Sequence, residues 1–501
     1  MLKKFFSVTI IAIILFSTFG ARYSAKAQAR TASWVVSVTY QNVGTAPTPV
    51  NVDFYQEGST TPISFDPLSG GSLNPGAGAS FFIGSVSGVA AGFRGNAVMS
   101  ASQPLVATVV QFSQQAGFKM RLLSNGFQSS DASSQYLVAT TLLNKFSRTT
   151  VFSIQNTGSS DVTATVRFYD ADAGGVLASS IDHVIPAMSS KYIEMDDPSD
   201  TGFGSRTVFN GSAIVTVNTG SIVVSASELY TNRNVAANFE GIPLSRVANT
   251  IYMATALCQR FGLDTFYAVQ NASLTDSAQI TVTYKNLDGS DKAVDGPYSI
   301  GPGQKKSINT CAPSSGTNMS GFTGSAVITS VGAPIAVIGK AQCSVAPGTC
   351  PADKVDVFTS FLGEAEGASK LAMPFIRWAN DTNFNSPTNT GGKQRAFIAI
   401  QNLEGSTIQV NVKYYDKAGN LVATHPLTIS AFSKGNSDPS TAGALGKFGM
   451  NAGEFGYYTD GSFGGSAVVE AGAGNPTAKF IAIVRVQHPG AGEDYNGIPI
   501  P

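Results

Sequence analysis

Hydrophobic residues along this chain recur with a period of two rather than 3.6. In Val410-Asn411-Val412-Lys413-Tyr414 the apolar side chains take every second position, and Phe152-Ser153-Ile154 and Phe397-Ile398-Ala399-Ile400 keep a related spacing before a Gln. A period of two puts alternate side chains on opposite faces of a strand, so one face meets a core and the other meets water. Asp170-Ala171-Asp172-Ala173-Gly174, Asp288-Gly289 and Asp416-Lys417-Ala418-Gly419 interrupt the runs as hairpin loops. Pro75-Gly76, Pro186-Ala187 and Pro302-Gly303 mark the next corner. Seven or so short strands, with turns every ~8–12 residues, describe an antiparallel sandwich of immunoglobulin-like type.

The set of strands is written four times. Gln-Asn pairs end a short apolar strand at Gln41-Asn42, Gln155-Asn156, Gln270-Asn271 and Gln401-Asn402, spaced 114, 115 and 131 residues apart. Each is followed by an alternating strand with an aromatic end (Phe54, Phe168, Tyr284, Tyr414). Each unit then reaches a Phe-x-Gly-[Ser/Asn]-Ala motif at Phe93–Ala97, Phe209–Ala213, Phe322–Ala326 and Phe463–Ala467. A fixed period of this kind means an array of like domains. Phe239-Glu240-Gly241-Ile242-Pro243 closes the second unit and Tyr495-Asn496-Gly497-Ile498-Pro499 the fourth. The expected fold is all-β: four tandem antiparallel β-sandwich (immunoglobulin-like) domains in an extended array, at 30–135, 136–245, 246–369 and 370–501. Units two to four open with an extra strand-like segment (Tyr136 to Leu143, Ile251 to Leu257, Lys370 to Phe375). Unit one has only Arg30 to Gln41 in that place, which leaves its sheet edge uncovered unless Ala32 to Val36 folds back over it. Such an edge is a template for another strand, with the Tyr495 to Pro501 tail as the candidate donor in head-to-tail assembly.

The recurring residues have structural readings. The Asn bonds local backbone at a strand end, the Phe belongs to the core, and the Gly permits a bulge, a positive backbone angle or a close backbone approach.

The N-terminus has another pattern. Lys3 and Lys4 precede an uncharged apolar run from Val8 to Phe16, and Ala25-Lys26-Ala27 and Ala27-Gln28-Ala29 fit an export cleavage site, so 1–29 reads as a signal peptide. The run is shorter than the ~20 residues of a membrane-spanning helix. No Cys stands at the cleavage site to take a lipid, and no second long apolar run follows. The mature chain is expected outside the cell, associated with its surface and without a transmembrane segment. Charged residues make up 13% of the chain and cancel to a net charge of zero. That balance gives no electrostatic claim on nucleic acid, and it lowers the barrier to self-association. Cys258, Cys311, Cys343 and Cys350 all fall in the third unit. In an exported chain they read as two disulfides, Cys343–Cys350 with Cys258–Cys311 being favoured because the first closes a short Pro/Gly loop.

Acid–base equipment is sparse. His183, His425 and His488 lie in no G-x-S-x-G, H-E-x-x-H or H-x-H setting, and no Walker or dinucleotide motif occurs. His183 and His425 sit in comparable strands and read as solvated positions. Catalytic and cofactor-binding residues are therefore not assigned. Asp170-x-Asp172-x-Gly174 resembles the start of a calcium loop, which makes Asp170 and Asp172 the one metal candidate, though the downstream Glu is absent. Between Trp378 and Arg395 the fourth unit inserts a long Asn-rich loop, in which Trp378, Asn380, Asp381 and Phe384 form a candidate ligand loop for stacking on a sugar.

The export signal, the [I/V]-Q-N strands, the aromatic strands with Asp/Gly turns, the F-x-G-S-A motifs and the G-I-P spacers together resemble the tandem β-sandwich repeats of secreted bacterial surface proteins, of surface-layer or adhesin type. The resemblance implies a non-enzymatic role at the cell surface or in its matrix, through self-assembly or adhesion, with partners among copies of itself, other surface proteins or glycans. A carbohydrate-binding array and an extracellular hydrolase are the alternatives.

Overall fold

Alternation of apolar and polar positions becomes, in each repeat, a pair of facing antiparallel sheets. The computed structural model describes residues 8–9, 33–113, 121–231, 235–343, 350–351, 354, 356–389, 392–446 and 462–501. In repeat two the outer sheet runs in the order return strand Val176–Ile185, aromatic strand Val162–Asp170, glycine strand Phe209–Val217, leading strand Gln135–Leu143. Its inner sheet runs corner strand Ser190–Glu194, Gln-Asn strand Arg148–Asn156, penultimate strand Ile222–Tyr230, axial strand Ala236–Glu240.

The same order recurs in repeat three: Asp291–Ile300, Ala278–Lys285, Phe322–Gly332 and Thr250–Cys258 against Lys305–Asn309, Leu263–Asn271, Ile335–Cys343 and Phe358–Leu362. Repeat four has Leu421–Ile429, Ile408–Tyr415, Phe463–Ala471 and Lys370–Trp378 against Lys434–Ser437, Arg395–Asn402, Phe480–His488 and Ala491–Asn496. Its two sheets are joined by the Trp378–Arg395 pair. Repeat one has Pro62–Phe65, Val50–Gln56 and Gly95–Ala101 against Gly78–Phe82, Trp34–Asn42, Leu105–Ser113 and Arg121–Asn125. Among the described residues, Val8–Thr9 stands in its leading place. No helix among the described residues is long and apolar enough to cross a membrane.

The repeats do not string out into an extended array. The axial strand of repeat one packs on that of repeat two, two on three, three on four, and four on one again. Trp34 and Leu122, Tyr192 and Tyr230, Phe358, and Ala491 form one apolar cluster drawn from all four repeats. A second set of contacts runs around the outside. The leading strand of repeat two lies on the Gln-Asn and penultimate strands of repeat three, that of repeat three on those of repeat four, and that of repeat four on those of repeat one. The cause is that the inner sheets are apolar on both faces. Ala336 and Ile338 belong to the core of repeat two, Ile481 and Ile483 to that of repeat three, and Val110 and Leu123 to that of repeat four. A sheet with two apolar faces must be covered twice, and a ring covers each one without leaving an end exposed.

The C-terminal tail is no free donor either. Ile498–Pro499 pairs with Leu371 and Ala372 of its own leading strand, as Ile242–Pro243 pairs with Leu137 and Tyr136. Both expected disulfides are formed, Cys258–Cys311 and Cys343–Cys350.

Gly95, Gly211, Gly324 and Gly465 occupy one position in all four glycine strands, and none has a positive φ. Close approach explains them: a Cβ would stand 2.0 or 2.1 Å from the carbonyl oxygen of Tyr55, Tyr169, Lys285 or Tyr415 on the aromatic strand. In repeats two to four the pairing with the leading strand also slips at this point. Gly211→Ala or Gly324→Ala forces two strands apart and is expected to cost about 2 kcal/mol or more. Calorimetry of the variants checks this, and an unchanged unfolding profile would contradict it.

Candidate functional site

The residues that made the repeat visible are the ones that fasten it. Each Asn of a Gln-Asn pair closes its own loop. Asn156 Nδ2 donates to the carbonyls of Ser160 (2.8 Å), Ile185 and Pro186 (both 3.1 Å), and its Oδ1 accepts from Gly158 N–H at 2.9 Å. Asn42, Asn271 and Asn402 repeat the pattern. The neighbouring Gln reaches back across a junction, Gln270 Nε2 to Ala213 O at 3.1 Å and Gln401 Nε2 to Ala326 O at 3.4 Å. The residue after the motif glycine reaches forward to the corner turn of the next repeat. Asn96 donates to Met188 O (3.0 Å), Ser212 to Gly303 O (2.8 Å) and Ser325 to Phe432 O (3.0 Å). At the junction of repeats four and one, Gly78 N–H donates to Lys417 O at 3.0 Å instead.

The polar centre of the molecule lies where the axial strands end, at Asn125, Glu240, Leu362 and Asn496. Asn125 N–H donates to Glu240 Oε1, and its side chain donates to Asn496 O at 2.7 Å. Asn496 in turn bonds Leu362 through both backbone groups, at 2.9 and 3.0 Å, and donates to Glu364 at 2.8 Å. Together with Asp131, which is paired to Arg246 at 2.7 Å, these residues line a cavity of about 30 Å³. That is room for one or two waters. Burial, with help from Glu364, raises the Glu240 carboxyl to about 7 against the pull of the Asn125 N–H and Arg246. Burial also raises Glu364.

A second buried carboxylate is held the other way. Glu228 lies between Lys340 of repeat three and Arg148, the latter at 2.9 Å. Burial alone would raise it, but the two cations hold it down at about 2. Arg148 also reaches Gln342 at 2.7 Å and lies 4.6 and 4.4 Å from the ring centres of Tyr230 and Phe358. This one guanidinium ties repeat two to repeat three.

The candidate residues read from the sequence are scattered around the ring. Asp170 is paired to Arg206 and accepts the Asp172 and Ala173 N–H groups. Asp172 pairs with Lys145 and Asn210, both at 2.7 Å, which lowers its carboxyl. Both carboxylates thus neutralise bases in a turn. Trp378 is buried against the Phe397 ring edge, and Asn380 caps the one-turn helix Asp381–Phe384. Arg395 covers both Trp378 and Phe384, and it pairs with Asp381 at 2.5 Å. His183 is buried and bonded to Asp200 O at 3.0 Å rather than solvated, whereas His425 is half-buried beside Ser437. Among the described residues, the group of possible metal-ligating atoms within 4.8 Å of one another is Cys258, Asp264 and Cys311, and its two sulfurs are bonded together. Sequence reasoning passed over Glu228, Glu240, Lys340 and Arg246. Period two signalled that some lie on the face away from their own core, but not that this face is buried by another repeat. No family model matches the chain, and no curated protein matches it.

The two glutamates carry opposite pH signatures. Between pH 4.5 and about 7 folded Glu240 keeps a proton that the unfolded chain has released, so its contribution falls as pH rises through that window. Glu240→Gln should remove this fall, on the order of 3 kcal/mol, and its thermal midpoint should gain on the parent from pH 5 to 8. Glu228 contributes stability above 4.5 that is lost toward about 2. Glu228→Gln strands two buried cations and should cost ~3–5 kcal/mol at pH 7. Melting curves of both variants over this range check the signs.

Proposed function

We propose that this chain is a secreted, non-enzymatic structural protein of the cell surface or extracellular matrix, and that it works by associating with further copies of itself. Each repeat is read as an immunoglobulin-like sandwich. In support, the recurring polar residues are engaged in closing loops and joining repeats, and the polar groups at the axis bond one another around a space the size of a water or two. An export-type N-terminus and a net charge of zero accord with a surface protein that tolerates its own neighbours.

The observation that carries the reading is on the outer rim. Among the described residues each return strand is the last in its sheet and leaves one edge unpaired. Those of repeats one, three and four contain Pro62, Pro297 and Pro426. Proline cannot donate to a ladder, and it blunts an edge against pairing. Val176–Ile185 of repeat two has no proline, and it exposes Val176, Leu177 and, at 68%, Val184. An edge without proline and with apolar residues exposed at both ends, on one repeat of four, is suited to a second copy meeting it edge to edge, an isologous contact.

Fractionation of producing cells should recover the chain in the envelope or medium, in particles larger than one molecule by light scattering. Val184→Lys should shift those particles toward single molecules without changing the melting profile. Recovery as a cytoplasmic monomer, or assembly indifferent to Val184→Lys, would count against the reading.

A further inference from the structure

Two hairpins of the ring hold a bulky apolar side chain where backbone and solvent both oppose it. Residues 144–148 join the leading strand of repeat two to its Gln-Asn strand, and 259–263 do so in repeat three. Lys145 and Arg148 exchange backbone hydrogen bonds at 3.1 and 2.9 Å, and Arg260 and Leu263 at 3.3 and 3.0 Å, so each loop is two residues long. Its residues are Phe146 and Ser147, at φ 54° and 56°, and Phe261 and Gly262, at 56° and 73°. Positive φ at both places is the mark of a type I′ turn, whose usual occupants are Asn, Asp and Gly. A bulky side chain there is strained. Both rings also stand in solvent, 64% and 62% exposed. The turns are pinned at their base: Asn144 Nδ2 donates to Thr207 O at 3.0 Å, and Gln259 Oε1 accepts from Ser320 Oγ at 2.7 Å. Strain and exposure together bring the fold no packing, yet they recur at one place in two repeats. Backbone strain held in this way collects at sites of function.

The two tips lie on one face of the ring. Leu122, Ala236, Phe358 and Ala491, near the starts of the axial strands, share one apolar cluster, and the ends of those strands meet at the polar centre. The four axial strands therefore run the same way along the axis, and equivalent ends of the repeats face the same side. Both hairpins stand at the starting end, since Arg148 pairs with Tyr230 and Leu263 with Cys343, the last residues before the chain turns into an axial strand. Val208, 48% exposed, adjoins the first tip through Thr207. A base stands beside each ring. Lys145 Nζ is 5.5 Å from the Phe146 ring centre, and Arg260 Cζ is 4.8 Å from that of Phe261. Lys145 also pairs with Asp172, whereas the exposed Arg260 has no acidic partner among the described residues.

We propose that this face docks on a lipid bilayer with anionic headgroups, Phe146 and Phe261 entering the interface while Lys145 and Arg260 meet the headgroups. Shape selects the partner. A stable protein interface covers ~800 Å² on each side, which two separate tips do not offer, and sites that enclose a small ligand are concave. A bilayer yields to protruding points, and an apolar ring with a base beside it fits the step from acyl chain to phosphate. Two tips on one face of a rigid ring reach such a surface together. This inference stands apart from the rim contact on repeat two, because Val184→Lys leaves both tips untouched.

The test takes the chain as purified from its producing cells and adds vesicles of mixed phosphatidylcholine and phosphatidylglycerol. Both native tryptophans, Trp34 and Trp378, are buried, so the fluorescence change of Phe146→Trp on adding vesicles reports on the tip. Its emission should shift to the blue and be quenched by brominated acyl chains. Attachment through any other segment does not mimic that reading. Phe146→Asn combined with Phe261→Asn should bind the mixed vesicles at least about tenfold more weakly in flotation. Asn suits the turn, so this variant should melt no lower than the parent, and its weaker binding is then not a loss of fold. Vesicles of phosphatidylcholine alone should hold the parent less well than the mixture. An emission spectrum unmoved by vesicles, equal binding by the double variant, equal binding to both vesicle types, or retention on cell-wall polysaccharide in place of vesicles would overturn the proposal.

Discussion

Everything in this molecule depends on inner sheets that have no solvent face. Alternation along a strand normally separates a core side from a wet side, but Ala336 and Ile338 lie on the nominally wet side of repeat three and are buried in repeat two. Ile481 and Ile483 do the same one repeat further on. Burying each of these isoleucines contributes ~1.5–3 kcal/mol relative to exposure. The face therefore has to be covered, and the neighbour's leading strand is what covers it. Since the leading strands of repeats two, three and four each lie on another repeat, a linear string would leave a bare face at repeat one and an unused leading strand at repeat four. Packing the leading strand of repeat four onto repeat one removes both in one step.

Closure fixes where polar groups can go. Four strand ends brought to one axis carry backbone groups and side chains into a place that water barely reaches, and buried polar atoms there need partners. Asn125 and Asn496 supply them through both ends of their amides. Glu240 meets the same demand differently, by a carboxyl raised to about 7. Glu228, equally buried, stays ionised because Lys340 and Arg148 converge on it from two repeats. The difference between the two glutamates is one of neighbours rather than depth, and that sets the opposite signs of their pH dependence.

Much of the secondary structure was legible because it depends on local rules. Period two, Asp-Gly turns and Pro-Gly corners located the strands, and the four-fold spacing grouped them. The disulfide pairing was also legible from a short Pro/Gly loop. What escaped was the partner of each outward face. Ser212 and Gln270 belong to recurring motifs in the sequence, but only the ring shows that each bonds a carbonyl across a junction. Trp378 misled for the same reason. Next to an Asn-rich insertion it suggested a sugar platform, but the side chain turns into the core and Arg395 closes over it. For the motif glycines the close backbone approach and the slip in pairing were legible, whereas the positive φ offered beside them is not found: a neighbouring carbonyl 2.0 or 2.1 Å from the would-be Cβ excludes any other residue.

A four-fold pattern also separates architecture from what is particular to this chain. Features present in every repeat, such as the Asn loop locks and the motif glycines, are needed to make a repeat at all. Features present once break the symmetry, and nothing in the common fold requires them. Repeat two alone has a return strand without proline. The axial strand ends read Asn, Glu, Leu and Asn where a strict repeat would show one residue. In repeat one alone, among the described residues, the glycine strand pairs on that side with a distant two-residue segment, Val8–Thr9. A substitution in the common set should weaken one repeat and leave the chain's behaviour toward its surroundings intact. A change at the singular places should do the reverse, and that asymmetry is where selection for function, as distinct from folding, has room to act.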